Sequence, residues 1–404
     1  MKLRRVLNIL EADTRPLLLL GALHFVVAAS HALFDIGSTS LLLAHLGPEA
    51  LPQVYIGGAL LLITAGFFVL PVIDRWDRVR LFTFTLFFFA AALAALHNLG
   101  PRAPDVVYRG LYLLCYLMKG LIFLQFWLIA GEVCDLRQAK RIFPILLGFS
   151  LAGGLTASAA ASLLPRWVST ETLLLTAAIL LAAGWLPTHL VARHYRDRLQ
   201  RPAVPGRFRV REIWSQLRSD LRISLSSSLL RNLSISALLF ALLAQILDFL
   251  MGKAASLQFT DAQGAVNPES LTAFYAALNG GVIGTGALLQ FLVANRLISS
   301  VGVTRGQITG PIAFLIGFGS IGVTLVVIGN GFGTTFFVTV LAARAMQKVL
   351  RISLYRSSID LIFNPIPAER RGRAKAFKET VIDPVGVLLG GVFLIVGGLF
   401  DLKV

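Results

Sequence analysis

The chain has 404 residues, 56% of them hydrophobic and only 14% charged, and its mean hydropathy is +0.76. A water-soluble domain cannot hide that much apolar surface, whereas repeated apolar runs of about 20 residues match the ~30 Å hydrocarbon core of a bilayer. The formal net charge of +16 invites a nucleic-acid reading. Most of the basic residues, however, fall in loops that topology assigns to the cytoplasm, so no nucleic-acid partner is expected. Cys115 and Cys134 show no metal-like spacing and read as inert thiols, and no metal or cofactor is expected. The opening MKLRR leads into a long span bearing His and Asp with no small-residue cleavage site, so no cleaved signal peptide is expected.

In chain order, apolar runs predict spans at 16–46, 51–73, 81–97, 106–130, 145–164, 172–190, 223–250, 269–295, 307–328, 334–358 and 380–400. With the N-terminus inside, loops 74–80 (DRWDRVR), 131–144, 191–222, 296–306 and 359–379 face the cytoplasm. The opposite loops, 97–104, 164–170, 251–268 and 329–334, hold only Arg102, Arg166 and Lys253, and this asymmetry sets the orientation. An inner-membrane, multi-pass location follows, with Trp127, Trp167 and Trp185 near span ends.

The long polar segment 191–222 carries nine arginines from Arg193 to Arg222 and the breakers Pro202, Pro205 and Gly206. It divides the chain into an N-terminal six-helix bundle, 1–190, and a C-terminal bundle, 223–404, in which five spans are seen. Residues 208–222 (FRVREIWSQLRSDLR) read as a basic amphipathic helix on anionic inner-leaflet lipids. The halves echo each other: RQAKRIF (137–143) follows the fourth span and RGRAKAF (371–377) the tenth. DRWDRVR follows the second span as NRLISSVGVTR (295–305) follows the eighth, implying two related bundles around one path. The fold class is therefore an all-α polytopic membrane protein with two pseudo-symmetric bundles. Eleven spans fall one short of a six-plus-six repeat. Either a twelfth lies beyond this sequence, the favoured expectation, or the count is odd.

Positive charge inside the apolar spans is the strongest functional signal. Arg109 and Lys119 share one span, Arg231 lies in another, and Arg344 and Lys348 in a third. A cation near the bilayer centre costs roughly 2.5–3.5 kcal/mol on insertion scales, so such residues normally face a wet cavity or a partner. Helical spacing puts His24, His31 and Asp35 on one face of the first span, and Arg109, Tyr112, Tyr116 and Lys119 on one face of the fourth. Ser224, Ser227, Arg231 and Ser234 share a face of the seventh, and Arg344, Lys348, Arg351 and Tyr355 a face of the tenth. Several of these have a plainer account. Arg231, Arg351 and Arg356, near cytoplasmic ends, can snorkel to phosphates, and an intramembrane histidine is more often a packing residue than a proton carrier. Asp35 can simply be a charge partner for one of the cations. Glu379 and Asp383, with Pro384, shape the start of the eleventh span. Glycine clusters at Gly153–Gly154, Gly280–Gly286 and Gly386–Gly391 fit close helix packing, because no GxxxxGK[ST] is present.

Six spans, a basic central loop and further spans resemble the major facilitator superfamily, and DRWDRVR is similar to that superfamily's loop motif after the second helix, without its glycines. FWLIAGEVCDLRQAKRIFPILLGFSLAGGL (126–155) resembles the ATP/ADP translocase family of obligate intracellular bacteria and plastids, whose members carry an FW…AKRFYPLFG stretch. AFYAALNGGVIGTGALLQFLVANRL (273–297) and RISLYRSSIDLIFNPIP (351–367) are similar to that family's eighth-helix and KYSLFDPxKEMAYIPL segments. The family's Lys-Glu pair falls here at Ile359-Asp360, and an acidic residue of its loop at Gln138, which fits a distant bacterial branch better than an ATP/ADP exchanger. The resemblance implies a central cavity lined by the first, fourth, seventh and tenth helices, and a cytosolic domain fused to or associated with the chain.

The expectation is a secondary transporter of a small organic anion, a nucleotide or another phosphorylated metabolite, working by alternating access. Lys119, Arg344, Lys348, Arg231, Arg109, Tyr112 and Tyr116 are the substrate-binding candidates, with Asp35, His24 and His31 as coupling or charge partners. Two alternatives stand beside it: a proton-driven exporter of drugs or lipids, and a non-transporting membrane sensor or anchor. Without a nucleophile constellation or HExxH, catalysis is not expected.

Overall fold

The computed structural model describes residues 10–73, 76–99, 103–164, 168–199, 218, 222, 228–261, 263–290, 303–328, 333–355 and 377–399. Several features singled out in the sequence lie outside them: Asp74, Arg75, Ser224, Ser227, Arg356, Ile359-Asp360, RGRAKAF, part of NRLISSVGVTR and most of the basic linker.

The helices are α1 (Glu11–Leu46), α2 (Leu51–Ile73), α3 (Arg78–Leu99), α4 (Pro104–Val133), α5 (Leu136–Leu163) and α6 (Thr170–His194). They continue with α7 (Ser228–Gln258), α8 (Pro268–Leu289), α9 (Val303–Ile328), α10 (Thr334–Leu350) and α11 (Asp383–Leu399). Among the described residues ten helices are long and apolar enough to cross a membrane, so the chain is a multi-pass membrane protein. α10, with 17 residues, is shorter and is continued by a π-helical turn, Arg351–Tyr355. A second π-helical turn, Lys378–Ile382, leads into α11. Helix surfaces that would meet lipid are apolar: Leu315, Val326 and Val327 on α9 are 73%, 85% and 76% exposed.

Helix ends depart from the sequence expectation in a consistent direction. The loop read at 131–144 is almost entirely helical, because Asp135 caps α5. Its carboxylate accepts from the Arg137 and Gln138 amides, while the Gln138 side chain accepts from the Asp135 amide. Only Cys134 and Asp135 separate α4 from α5. Likewise α7 runs on to Gln258, where a loop at 251–268 was expected. It is followed by a turn in which Asp261 accepts from the Gln263 and Ala265 amides.

The helices cluster into two compact units. One takes the described residues of Met1–Leu41, Ala65–Phe208 and Thr272–Gly280; the other takes those of Leu42–Thr64, Arg209–Leu271 and Gly281–Val404. In the first unit a Cβ at Gly153 of α5 would collide with the Phe25 carbonyl of α1. Only glycine permits that approach. Ser158 of α5 accepts from Asn279 at 3.2 Å, and Thr170 hydrogen-bonds Thr272 at 2.9 Å, which secures the N-terminal half of α8. In the second unit Gly386 and Gly390 abut the Leu238 and Leu242 carbonyls of α7, and Gly391 abuts that of Pro52 in α2. Gly153, Gly386, Gly390 and Gly391 therefore serve close packing.

Polar staples tie one end of the first unit. Arg141 donates to both carboxylate oxygens of Asp13, at 2.9 and 3.1 Å, in a bidentate pair whose acid is 1% exposed. Arg78, from the stretch that resembles the superfamily loop motif, pairs with Glu132 at 2.9 Å, and Arg198 donates to the Val133 carbonyl at 2.6 Å. Here the motif-like segments DRWDRVR and GEVCDLRQAKR meet, and their charges hold helix ends together.

Candidate functional site

In the first unit, α4 starts at Pro104, where a missing backbone N–H costs nothing. It then runs 30 residues, so Arg109, Tyr112, Tyr116 and Lys119 are carried along one stripe by a continuous helix. Lys119 is exposed and the two tyrosines are half-buried. Arg109 is half-buried too, and its Nε is shut off from solvent with no hydrogen-bond partner among the described residues. A guanidinium nitrogen left that way in a low-dielectric surrounding is costly, and an anion or water would satisfy it.

The three polar residues of α1 divide by role. His24 is 1% exposed, and its Nδ1–H donates to the Leu146 carbonyl of α5 at 3.0 Å. Its ring stacks on Phe126 at 4.0 Å and meets Trp127 edge-on at 5.4 Å. A ring so held is a packing residue. His31 lies one face-repeat further along, against the edge of Phe123 at 5.7 Å, and its Nε2 is buried without a hydrogen-bond partner among the described residues. One turn on, Asp35 joins it, and Cys115 of α4 completes a group whose ligand-type atoms lie within 4.8 Å of one another. Cys115, read from the sequence as isolated, is thus brought next to a histidine and a carboxylate.

In the second unit the dominant polar feature is Arg344, only 6% exposed. Its Nη2 pairs with Asp248 of α7 at 2.5 Å; its Nη1 donates to Gln347 Oε1 at 2.9 Å and more weakly to the Ala244 carbonyl at 3.4 Å. Gln347 is 1% exposed, so the network is enclosed on the α10 side, while the Asp248 side chain is 32% exposed. Of the other candidates, Arg231 on α7 is exposed and Lys348 on α10 is half-buried. Arg351 stacks its guanidinium over the Phe240 ring at 5.7 Å, and Tyr355 stacks on that same ring at 4.2 Å.

Asp248, Gln347, Asp13 and Glu132 were not singled out in the sequence. A lone carboxylate inside the run FALLAQILDFLMG was the available signal for Asp248. Its partner, 96 residues away, left no local trace.

Scanned by sequence, the chain matches no family model and no curated protein. Compared by fold it matches solved membrane transporters over nearly its whole length. A crystal structure of the nucleoside transporter NupG is 13% identical, with a TM-score of 0.63, over 93% of this chain and 89% of that one. An auto-inhibited POT family peptide transporter is 14% identical at TM-score 0.64, over 96% and 92%. The xylose transporter XylE from E. coli is 13% identical at TM-score 0.54, over 96% of each chain. The chain has the major facilitator fold. The mid-span ionisable residues sit on α1 and α4 in the first unit and on α7 and α10 in the second.

Proposed function

We propose that this protein is a secondary transporter of an organic anion, of the nucleotide or phosphorylated-metabolite class, working by alternating access from the cytoplasmic membrane with its N-terminus inside. The observation that carries the reading is the α4 stripe, where two cations and two tyrosines share one helix face and the Arg109 Nε is buried without a partner among the described residues. Lys119 and Arg109 hold the anionic group in the first unit, and Tyr112 and Tyr116 donate hydrogen bonds or offer ring contact. Arg231 and Lys348 are the second unit's own candidates. Arg344 is assigned a positioning role, since Asp248 and Gln347 hold both of its terminal nitrogens, although its Nε, like that of Arg109, is buried without a hydrogen-bond partner among the described residues. The nucleotide class rests on the resemblance of 126–155 to ATP/ADP translocases and on the fold shared with a nucleoside transporter. Ile359 in place of that family's lysine argues against ATP/ADP exchange itself.

Thermal-shift measurements on purified protein with nucleotides, phosphate esters and carboxylates test this reading. An anion should stabilise the protein, and uptake of that anion into proteoliposomes should saturate. Stabilisation by neutral or cationic amphiphiles, with none by any anion, would overturn it. A specific observation favours a second reading: His31 and Asp35, close together on α1, could carry a proton. A proton-driven exporter would show pH-dependent movement of lipophilic compounds that survives Lys119→Ala.

A further inference from the structure

His31, Asp35 and Cys115 are the one group of three metal-ligating side chains that converges among the described residues. Each comes from a rigid helical segment. His31 and Asp35 are four residues apart on α1, so both side chains leave the same face one turn apart, and Cys115 approaches from α4. One imidazole nitrogen, one carboxylate oxygen and one thiol sulfur lie within 4.8 Å of one another. Tetrahedral zinc, with ligand bonds of about 2.0–2.3 Å, sets its ligands about 3.3–3.8 Å apart, so side-chain torsions alone can close the remaining gap.

The second observation is how these side chains are otherwise partnered. The His31 Nε2 is buried and makes no hydrogen bond among the described residues, an expense that a buried imidazole normally avoids. The Cys115 thiol is buried too, with Ser38 beside it, and the Ser38 hydroxyl donates to the Asp35 carbonyl at 3.3 Å. The bond to the Asp35 backbone holds the Ser38 hydroxyl in place beside the Cys115 sulfur, so of the three ligands it is the thiol that has an outer-shell neighbour. Lys119, one turn beyond Cys115 on α4, is the opposing charge acting on both His31 and Cys115. A thiolate and a carboxylate outnumber it, so a divalent ion is not repelled overall.

We propose that His31, Asp35 and Cys115 form a transition-metal site, for Zn²⁺ or a metal of similar preference, with three protein ligands and a fourth position open to water or another donor. The mixed nitrogen, oxygen and sulfur set selects a borderline metal over Mg²⁺ or Ca²⁺, which need an oxygen shell. Binding takes the neutral imidazole and the thiolate, and the thiol proton leaves to solvent, so affinity rises with pH between 6 and 8. The bound ion would pin α1 to α4 within the first unit. This site is independent of the anion reading, and its test does not involve transport.

The test is titration of the purified full chain with Co²⁺, followed by competition with Zn²⁺. One equivalent of Co²⁺ should bring a near-ultraviolet thiolate charge-transfer band and visible bands of tetrahedral cobalt, and one equivalent of Zn²⁺ should remove both. Cys115→Ser should abolish the thiolate band and weaken Zn²⁺ binding at least about tenfold, while Cys134→Ser changes neither. His31→Gln and Asp35→Asn should keep a thiolate band but also lose about tenfold or more in affinity, which covers the case in which Cys115→Ser does not fold. No thiolate band in the wild type would overturn the site. So would a band that survives Cys115→Ser or disappears in Cys134→Ser, or His31→Gln and Asp35→Asn variants that both bind as tightly as the wild type.

Discussion

Removing the carboxylate of Asp248 should harm this protein far more than removing the arginine it serves. The Arg344 side chain is 7% exposed and that of Asp248 32%, so the two partners have unequal access to water. Unit charges about 4 Å apart in an effective dielectric near 20 attract by about 4 kcal/mol, which water at Asp248 reduces. Asp248→Ala leaves a buried guanidinium with only Gln347 and the Ala244 carbonyl as acceptors. The cost should be about 3 kcal/mol, roughly a hundredfold in the folding equilibrium. Arg344→Met keeps the apolar stem and leaves an acid that can turn to water, so about 1 kcal/mol is expected. The double variant holds no stranded charge and should resemble Arg344→Met, giving a coupling energy of about 3 kcal/mol. Equilibrium unfolding in mixed micelles, followed by circular dichroism, measures all four proteins. Equal losses in the two single variants would refute the asymmetry drawn from their unequal access to water, and coupling below about 0.5 kcal/mol would show that the pair does not hold α7 to α10. If Arg344→Met instead abolished stabilisation by anions while leaving the unliganded protein as stable as before, Arg344 would be a solute ligand and its positioning role would fall.

Lys119→Ala should weaken anion binding by about 10–100-fold, the worth of one charge-assisted hydrogen bond, without lowering the unliganded melting temperature, because the side chain is exposed; an unchanged affinity would remove it from the site. Cys134 lies outside the spans, and burial raises its thiol to about 11, against the opposing influence of Arg198. At pH 7 about one in ten thousand molecules would then carry the thiolate, so maleimide labelling should be slow there and accelerate steadily up to pH 10; a plateau near pH 8.5 would contradict that environment. Gly153→Leu should prevent α5 from approaching the Phe25 carbonyl and cost 3 kcal/mol or more of stability, about the penalty of severe overpacking; a change below about 1 kcal/mol in the same unfolding assay would argue against the close contact.

The spans were legible because a run of some twenty apolar residues is a sharp signal, and α2 falls at the same residues in sequence and structure. Helix ends were less so. RQAKRIF carries too much charge to read as helix by hydropathy, yet the capping box that starts α5 was present as Asp135 and Gln138. The candidate site was only half visible. Helical spacing placed Arg109, Tyr112, Tyr116 and Lys119 on one stripe, but spacing says nothing of what a neighbouring helix supplies. Hence His24 looked like His31 until Phe126 and the Leu146 carbonyl appeared around its ring. Arg344 looked like Lys119 until Asp248 appeared beside it.

The π-helical turn at Arg351–Tyr355 has a consequence for how this chain tolerates changes in length. A π turn accommodates one residue more than an α turn, so it behaves as an insertion that the helix has swallowed without breaking. Its last residue, Tyr355, lies flat on Phe240 in the second unit. Counting residues from Arg344 through this turn therefore misplaces faces. A single-residue deletion between 351 and 354 would return this turn to ordinary winding and swing Tyr355 by about a quarter turn. Such a deletion would keep the helix but take the Tyr355 ring off Phe240. The segment acts as a register joint, where one residue gained or lost alters which surfaces meet.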